Sequence, residues 1–259
     1  MEWWGNLGVL SPSYDTDAQA FITLVEAADG QALEAALRDA INAFVVGCKA
    51  DGIWTAIKAC CILAGARTLA GALVPLVGTA PTNYNFVAGD YNRKNGLVGN
   101  GTTKYINSNY TGSADPQNSR HLAVHISSAI TNGGVIIGVE NATQRNTLYS
   151  SPTVQVALSQ PTIDSTGILP AAAIGLVAAS RSASNVTSWR VGSSAGTFST
   201  ASASSTFGSV YVFARNDNGS LSAPCNGRIN FYSIGTNIDL TLLSARVSTL
   251  ISALAAAIP

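Results

Sequence analysis

Apolar residues recur at helical spacing in the first part of the chain. Over residues 31–48 they follow one another at steps of three and four residues, which predicts an amphipathic helix with one buried face. A helix is also predicted over residues 15–28, where the aspartates at its start can cap free backbone N–H groups. A third is predicted over residues 53–61, with Asp51 as its N-cap. We therefore expect a small three-helix bundle.

After Pro81 the pattern changes to short β-branched and aromatic runs. Asn-Gly turns, which are a strong signal for hairpins, separate these runs. Such turns fall at positions 100–101, 132–134, 218–219 and 226–227. About ten short strands without intervening helices are typical of an antiparallel β-sandwich or jelly roll.

The two ends of the chain carry apolar residues that are suited to contacts with a partner. The C-terminal segment predicts an amphipathic helix whose seam is formed by Leu240, Leu243, Val247, Leu250 and Leu254. This seam suits packing on the sandwich and packing against symmetry mates equally well. The N-terminal segment has neither a helical nor a strand period and is predicted to be a docking arm with the apolar anchors Trp3, Trp4, Leu7 and Leu10.

Together these patterns predict an α+β fold. A small N-terminal helical bundle is followed by an antiparallel β-sandwich of the jelly-roll kind and by a C-terminal amphipathic helix. The expected organisation is a docking arm at residues 1–16, a helical attachment domain at 17–79, a β-sandwich at 80–237 and a C-terminal helix at 238–259.

The chain carries little charge. Its 14 basic and 14 acidic residues give a formal net charge of zero and 11% charged residues, against about a quarter in a typical soluble domain. Because there is no basic excess, binding to nucleic acid is not expected. A hydrophobic content of 47% excludes intrinsic disorder. A soluble protein with so few charges either buries surface in an assembly or covers itself with small polar residues.

Neither a targeting segment nor a membrane segment is predicted. The first residues lack the basic region and the apolar core of a signal peptide. The apolar stretch at residues 59–78 carries Arg67 near its middle, together with glycines and Pro75, so we expect buried small-residue packing instead of a membrane span. The four cysteines include no CxxC pair and are expected to be buried free thiols.

Candidate catalytic residues are sparse in the predicted sandwich. The acids beyond residue 100 are Asp115, Glu140, Asp164, Asp217 and Asp239. None of them forms a pair at strand spacing, although hydrolysis of a glycoside needs two neighbouring carboxyl groups. His121 and His125 are expected to share one face of a strand as structural residues, since no nucleophile motif accompanies them. We therefore predict a protein that is not an enzyme.

Metal and sugar binding depend on the loops and faces of the sandwich. Asn216, Asp217 and Asn218 cluster oxygen atoms, as do Asp115 and Asn118, but neither group matches a dedicated calcium loop. No cofactor is therefore predicted, and calcium is the ion that would fit best. Carbohydrate is held by aromatic faces and neighbouring amides. The candidate glycan-binding residues are Tyr105, Tyr110, Tyr149 and Trp189.

Three segments resemble known families. Residues 96–109, GLVGNGTTKYINSN, resemble the opening strand pair of concanavalin A-like (LamG-type) jelly rolls, and residues 227–247, GRINFYSIGTNIDLTLLSARV, resemble their closing strand and trailing helix. The helical block at residues 47–78, followed by GDYNRKNGLVGNG, is similar to structural and tail-fibre-type proteins of tailed bacteriophages. The resemblance implies a virion component with a lectin-like domain, although no Asp/Asn pair reproduces the lectin calcium site.

The sequence thus predicts a non-enzymatic virion structural protein that displays a lectin-like jelly roll. Its expected partners are other virion proteins, bound through the arm and the helices, and sister subunits in a homotrimer. The leading function is a tail-fibre or receptor-binding module for host-surface polysaccharide, and the alternative is a capsid decoration or cement protein. A glycan hydrolase that depends on Glu140 is a third alternative. The expected localisation is the virion, assembled in the host cytoplasm.

Overall fold

The computed structural model describes residues 14–150, 153–161, 174–204 and 208–259, so the predicted docking arm lies outside the described residues apart from its last three positions. The helices in this part are α1 (Thr16–Asp29), α2 (Ala35–Ala50), α3 (Leu69–Ala72) and α4 (Leu240–Ala257). The strands are β1 (Ile57–Ile62), β2 (Thr82–Tyr84), β3 (Tyr91–Asn92), β4 (Gly96–Val98), β5 (Tyr105–Thr111), β6 (Arg120–Ser128), β7 (Gly134–Asn141), β8 (Gln144–Ser150), β9 (Val154–Gln160), β10 (Gly175–Ala183), β11 (Val186–Val191), β12 (Ser194–Phe198), β13 (Ser209–Val212), β14 (Arg215–Asp217), β15 (Ser220–Ser222) and β16 (Arg228–Gly235).

Within the described ranges the strands form two sheets of eight strands each. Sheet A has the order β12-β11-β10-β6-β16-β4-β3, with β1 paired to β16. Sheet B has the order β15-β14-β7-β13-β5-β2, with β8 paired to β7 and β9 paired to β8. The pairs are antiparallel apart from β14 and β7, which run parallel. The predicted β-sandwich with N-terminal helices and a C-terminal helix is confirmed, and the jelly-roll topology stays a prediction.

Alternation along the strands of sheet A divides the protein interior into two cores. Ala123 and Phe231 belong to the core beneath the helices, whereas their neighbours Val124 and Tyr232 belong to the core between the two sheets. Helices α1, α2 and α4 therefore cover one face of sheet A, and sheet B covers the other. The outer face of sheet B is turned away from both cores.

The prediction of a third helix over residues 53–61 is wrong. After a short 3-10 turn at Trp54–Ala56 the chain enters strand β1, which pairs with β16 and places Cys61 opposite Tyr232. Strand β1 is buried on both faces, with Cys60 in the core beneath the helices and Cys61 in the core between the sheets. A strand that is apolar on both faces has no period of two, so its pattern cannot be distinguished from that of a short buried helix.

Helix α4 packs on its own chain, which is one of the two packings that the sequence left open. Its five predicted seam residues, Leu240, Leu243, Val247, Leu250 and Leu254, are all buried in the core that they share with α1, α2 and sheet A. The Arg246 guanidinium binds both carboxylate oxygens of Asp51 at 2.7 and 2.8 Å, which fixes α4 to the end of α2. By length and composition alone α4 could also cross a membrane.

The four cysteines are free and buried, as predicted. Burial raises the pKa of Cys48, Cys61 and Cys225 to about 12, because the thiolate loses its hydration in the protein interior. These thiols therefore stay protonated at neutral pH and act as small apolar side chains.

Candidate functional site

Three tyrosines stack in a row on the outer face of sheet B. The rings of Tyr84 and Tyr105 are parallel to within 5°, with their centroids 4.3 Å apart. The ring of Tyr211 lies on the other side of Tyr105, at a centroid distance of 4.6 Å and an angle of 33°. Such offset stacking is a favourable arrangement of aromatic rings. We call Tyr84, Tyr105 and Tyr211 the tyrosine row.

Strand pairing explains why these side chains meet. Tyr84 on β2 lies directly opposite Tyr105 on β5, and β13 pairs with the other edge of β5. Neighbours of the row in sequence, Ile106 and Val212, point into the core between the sheets. Because side chains alternate along a strand, the tyrosines must point outward. Sequence reasoning included Tyr105 but missed its two partners.

Exposure falls steadily along the tyrosine row. Tyr84, on the edge strand β2, is 38% exposed, whereas Tyr211 is 7% exposed. Burial, together with the neighbouring phenol groups, raises the pKa of Tyr105 to about 12, and burial also raises the pKa of Tyr211. The hydroxyl groups of these two residues therefore remain protonated hydrogen-bond donors at physiological pH.

Two polar residues close to Tyr105 in the sequence, Lys104 and Asn109, are already paired. Lys104 and Asp90 form an ion pair with each other. The side-chain amide of Asn109 donates to the Ala80 carbonyl at 2.9 Å and to the Thr82 hydroxyl at 3.0 Å. Lys104 therefore offers no free charge to an ion, and an exposed aromatic ring beside amide groups suits an uncharged polar ligand.

The structure does not bring the four predicted glycan-binding residues together. Tyr105 belongs to the tyrosine row, whereas the hydroxyl of Tyr110 donates to Asp115 at 2.8 Å and its ring packs against the core between the sheets. Tyr149 is half-buried on β8 of sheet B. Trp189 is on β11 of sheet A, where its ring packs on Phe198. These residues stay candidates at separate places on the molecule.

Glu140 lies in a cluster of charged residues on sheet B. One carboxylate oxygen contacts the Arg215 guanidinium at 2.7 Å, and the other lies 3.3 Å from Nε of Arg145. Asp217 stands directly opposite Glu140 in the pairing of β14 with β7, so an acidic pair exists that sequence spacing did not reveal. Burial raises the pKa of Glu140, while the two arginines act in the opposite direction. Because both oxygens face guanidinium groups, the carboxylate joins three strands.

The two histidines lie on one face of β6, as predicted, and both are buried. His121 contacts the Thr236 carbonyl through Nδ1 and the Ser233 hydroxyl through Nε2, and His125 contacts the Asn230 side chain. Burial lowers the pKa of both, in the case of His121 to about 4, since the charged ring would lose its hydration. They are neutral residues of the interior at physiological pH.

The oxygen clusters considered for calcium serve other contacts. The Asn216 amide donates to the Ser209 carbonyl at 2.8 Å, and its oxygen accepts from the Gly219 N–H at 2.7 Å, which fixes the β14–β15 turn. Asp115 accepts from Tyr110. Among the described residues no group of three or more His, Cys, Asp and Glu side chains could hold a metal ion.

A cleft of about 390 Å³ opens beside the first turn of α4. Its walls are the β11–β12 hairpin and the segment that leads into the helix. The lining residues are Ser188, Trp189, Ala195, Gly196, Thr197, Ile238, Asp239, Leu240 and Thr241. Trp189, a predicted glycan-binding residue, thus lines a cavity of ligand size.

Comparison with known proteins gives distant structural similarities. No family model matches the chain, and no curated protein matches it. The NanB sialidase of Streptococcus pneumoniae is similar with a TM-score of 0.39 and 11% identity, over 50% of this chain and 24% of that chain. Domain 4 of AbnA, a GH43 extracellular arabinanase of Geobacillus stearothermophilus solved with arabinotriose, is similar with a TM-score of 0.37 and 14% identity. The match covers 62% of this chain and 75% of that chain. A GH54 α-L-arabinofuranosidase is similar with a TM-score of 0.41 and 9% identity, over 58% of this chain and 39% of that chain.

These comparisons correct the predicted function. The comparisons contradict the predicted non-enzymatic virion structural protein, acting as tail fibre or capsid decoration: the structures that they find belong to a sialidase, an arabinanase and an arabinofuranosidase. They contradict the prediction that the chain is not an enzyme in the same way, and they assign no activity to it. The phage resemblance, the homotrimer, the virion partners and the virion localisation are tested by none of these findings and stay predictions. The chain spans about a quarter of the sialidase, and TM-scores this low carry no argument about its own activity.

Proposed function

We propose that this protein binds carbohydrate through the tyrosine row on the outer face of sheet B. The observation that carries the proposal is the stack of three rings that ends in the exposed Tyr84. Sugar rings have an apolar face of C–H groups that stacks on an aromatic ring, and hydroxyl groups that need polar partners. Both kinds of contact are available here.

The stacked arrangement favours binding because the exposed ring is already held in place. Tyr84 packs against Tyr105, which packs against the nearly buried Tyr211. An aromatic side chain that is ordered before binding loses little conformational entropy when a ligand arrives. Lys104, which precedes Tyr105 in the sequence, is paired with Asp90 and so is not free to compensate a carboxylate, which favours an uncharged glycan over an acidic one.

The proposal is tested by affinity electrophoresis of the full chain in gels that contain neutral soluble polysaccharides such as arabinan, galactomannan and mixed-linkage glucan, with pectate as the anionic comparison. We expect retardation by at least one neutral polymer. Tyr84→Ala should weaken binding about two- to tenfold, since one aromatic contact contributes about 0.5–1.5 kcal/mol. Tyr84→Phe, which keeps the ring, should retain most of the binding.

Tyr14→Ala is the matched control. Tyr14 is a half-buried tyrosine that contacts Asp39 of α2 in the helical layer, away from sheet B. This variant should bind like the unmodified protein. Equal retardation of Tyr84→Ala and Tyr14→Ala would contradict the proposal, as would retardation by pectate alone.

A further inference from the structure

The cleft beside α4 lies on the other side of the molecule from the tyrosine row. Helix α4 covers the face of sheet A that is turned away from sheet B, and it begins at Leu240, beside the β11–β12 hairpin. The hairpin presents small side chains there, among them Ser188, Ala195 and Thr197. Because neither the helix nor a large side chain fills this corner, a volume of about 390 Å³ stays open.

The wall between hairpin and helix is held by Arg190. Its guanidinium donates through Nη2 to the hydroxyl of Thr241 and through Nη1 to the carbonyl of Gly192, both at 3.3 Å. Arg190 thus connects β11 to the first turn of α4. The cleft is therefore formed by elements with fixed positions, and a ligand need not order it.

The lining combines an apolar floor with hydrogen-bonding groups. Ile238 and Leu240 are buried at 6% and 7% exposure. Thr197 and Thr241 contribute hydroxyl groups, which donate and accept. Asp239 accepts with Oδ1 from the backbone N–H groups of Thr241 and Leu242, at 2.7 and 3.0 Å, and among the described residues its Oδ2 has no partner.

These features point to one class of ligand. We propose that the cleft binds a small uncharged polyhydroxylated molecule of the size of a single sugar residue, with its hydroxyl groups on Asp239 and the threonines and its apolar face on the floor. An anion is disfavoured because Asp239 is the one charged side chain among the described residues that line the cleft, while the nearby Arg190 guanidinium is engaged by Thr241 and the Gly192 carbonyl. A divalent cation is disfavoured because one carboxylate is too few ligands. The volume lies in the range of small-molecule sites. This proposal involves other residues than the tyrosine row and does not rest on the proposed function.

The test is an NMR titration of the isotope-labelled full chain with methyl β-D-galactoside and methyl β-D-glucoside, with glucuronate as the anionic probe. We expect saturable shifts of the backbone amides at positions 188, 195–197 and 239–241, and weaker shifts with glucuronate. Ala195→Phe fills the cleft from an exposed position and should abolish the saturable shifts. Tyr84→Ala should leave them unchanged, which separates this site from the tyrosine row.

Asp239→Asn tests the role of the carboxylate without unfolding the helix. Asparagine is as good an N-cap as aspartate, so α4 should keep its stability. Loss of a charge-assisted hydrogen bond should weaken sugar binding about tenfold or more. The proposal is overturned if no saturable shift occurs at the cleft with either glycoside, if Ala195→Phe leaves the shifts intact, or if glucuronate binds more tightly than the neutral sugars.

Discussion

His121 should make the stability of this protein depend on pH between neutrality and about pH 4. The ring is 1% exposed. Its Nδ1 lies 2.6 Å from the Thr236 carbonyl oxygen, which can only accept, so Nδ1 carries the proton. Nε2 then accepts from the hydroxyl of Ser233 at 2.8 Å. The interior therefore holds the neutral imidazole, and burial lowers its pKa from 6.5 to about 4.

The sign and size of the effect follow from this difference in pKa. Above pH 6.5 the histidine is neutral in the folded and the unfolded state, and the stabilisation is complete. As the pH falls towards 4, the unfolded chain binds a proton that the folded protein does not bind. Each pH unit is equivalent to about 1.4 kcal/mol, so the free energy of unfolding should fall by about 3 kcal/mol in total. His125, whose pKa burial also lowers, acts in the same direction.

The assay is urea unfolding at a series of pH values, for the unmodified protein and for His121→Gln. Carboxyl groups also titrate at the acidic end, so the difference between the two proteins is the quantity of interest. The unmodified protein should lose about 3 kcal/mol more than the variant between about pH 7 and about pH 4. Parallel curves for the two proteins, or an imidazole pKa near 6.5 in an NMR titration of the folded protein, would refute the reasoning.

Three further substitutions test the charged cluster of Glu140 and the interior. Glu140→Gln should lower the free energy of unfolding by about 2–3 kcal/mol, because it removes the negative charge that faces the guanidinium of Arg215 at 2.7 Å. Asp217→Asn, at a more exposed 3.5 Å contact, should cost under about 1 kcal/mol. Equal losses for the two variants in urea unfolding would rule out this view of the cluster. Phe231→Ala should cost about 3–5 kcal/mol, because the ring is fully buried and packs edge-on against Phe44 at 5.8 Å, and a loss below about 1 kcal/mol would contradict the described packing.

The pattern of apolar and polar residues predicts those elements whose two faces differ in polarity. Helices α1, α2 and α4 each have one apolar face at helical spacing, and their positions agree with the prediction. Strand β1 does not have such a difference, because Cys60 and Cys61 are buried on opposite faces of the same sheet. Its identity as a strand is decided by pairing with β16, which is a tertiary contact and leaves no local signal.

The candidate site was only partly accessible from the sequence for a related reason. Tyr105 could be selected as an aromatic residue among asparagines, but its partners Tyr84 and Tyr211 are distant in the chain and meet it only through the pairing of β2, β5 and β13. The same holds for Glu140 and Asp217, which become neighbours through a parallel pairing that hairpin turns do not predict. The cleft beside α4 exists because α4 begins beside the β11–β12 hairpin, and this tertiary arrangement leaves no local signal in the sequence.

The pairing of β1 with β16 also determines when, during synthesis of the chain, sheet A can be completed. Cys61 and Tyr232 are opposite each other in sheet A although 171 residues separate them. At about 5–20 residues per second, a ribosome needs on the order of ten to thirty seconds to synthesise the chain between them. Throughout this time the nascent β1 presents an apolar edge without its partner strand, the kind of edge that aggregates. Synthesis of the chain through β16 therefore precedes the closing of sheet A.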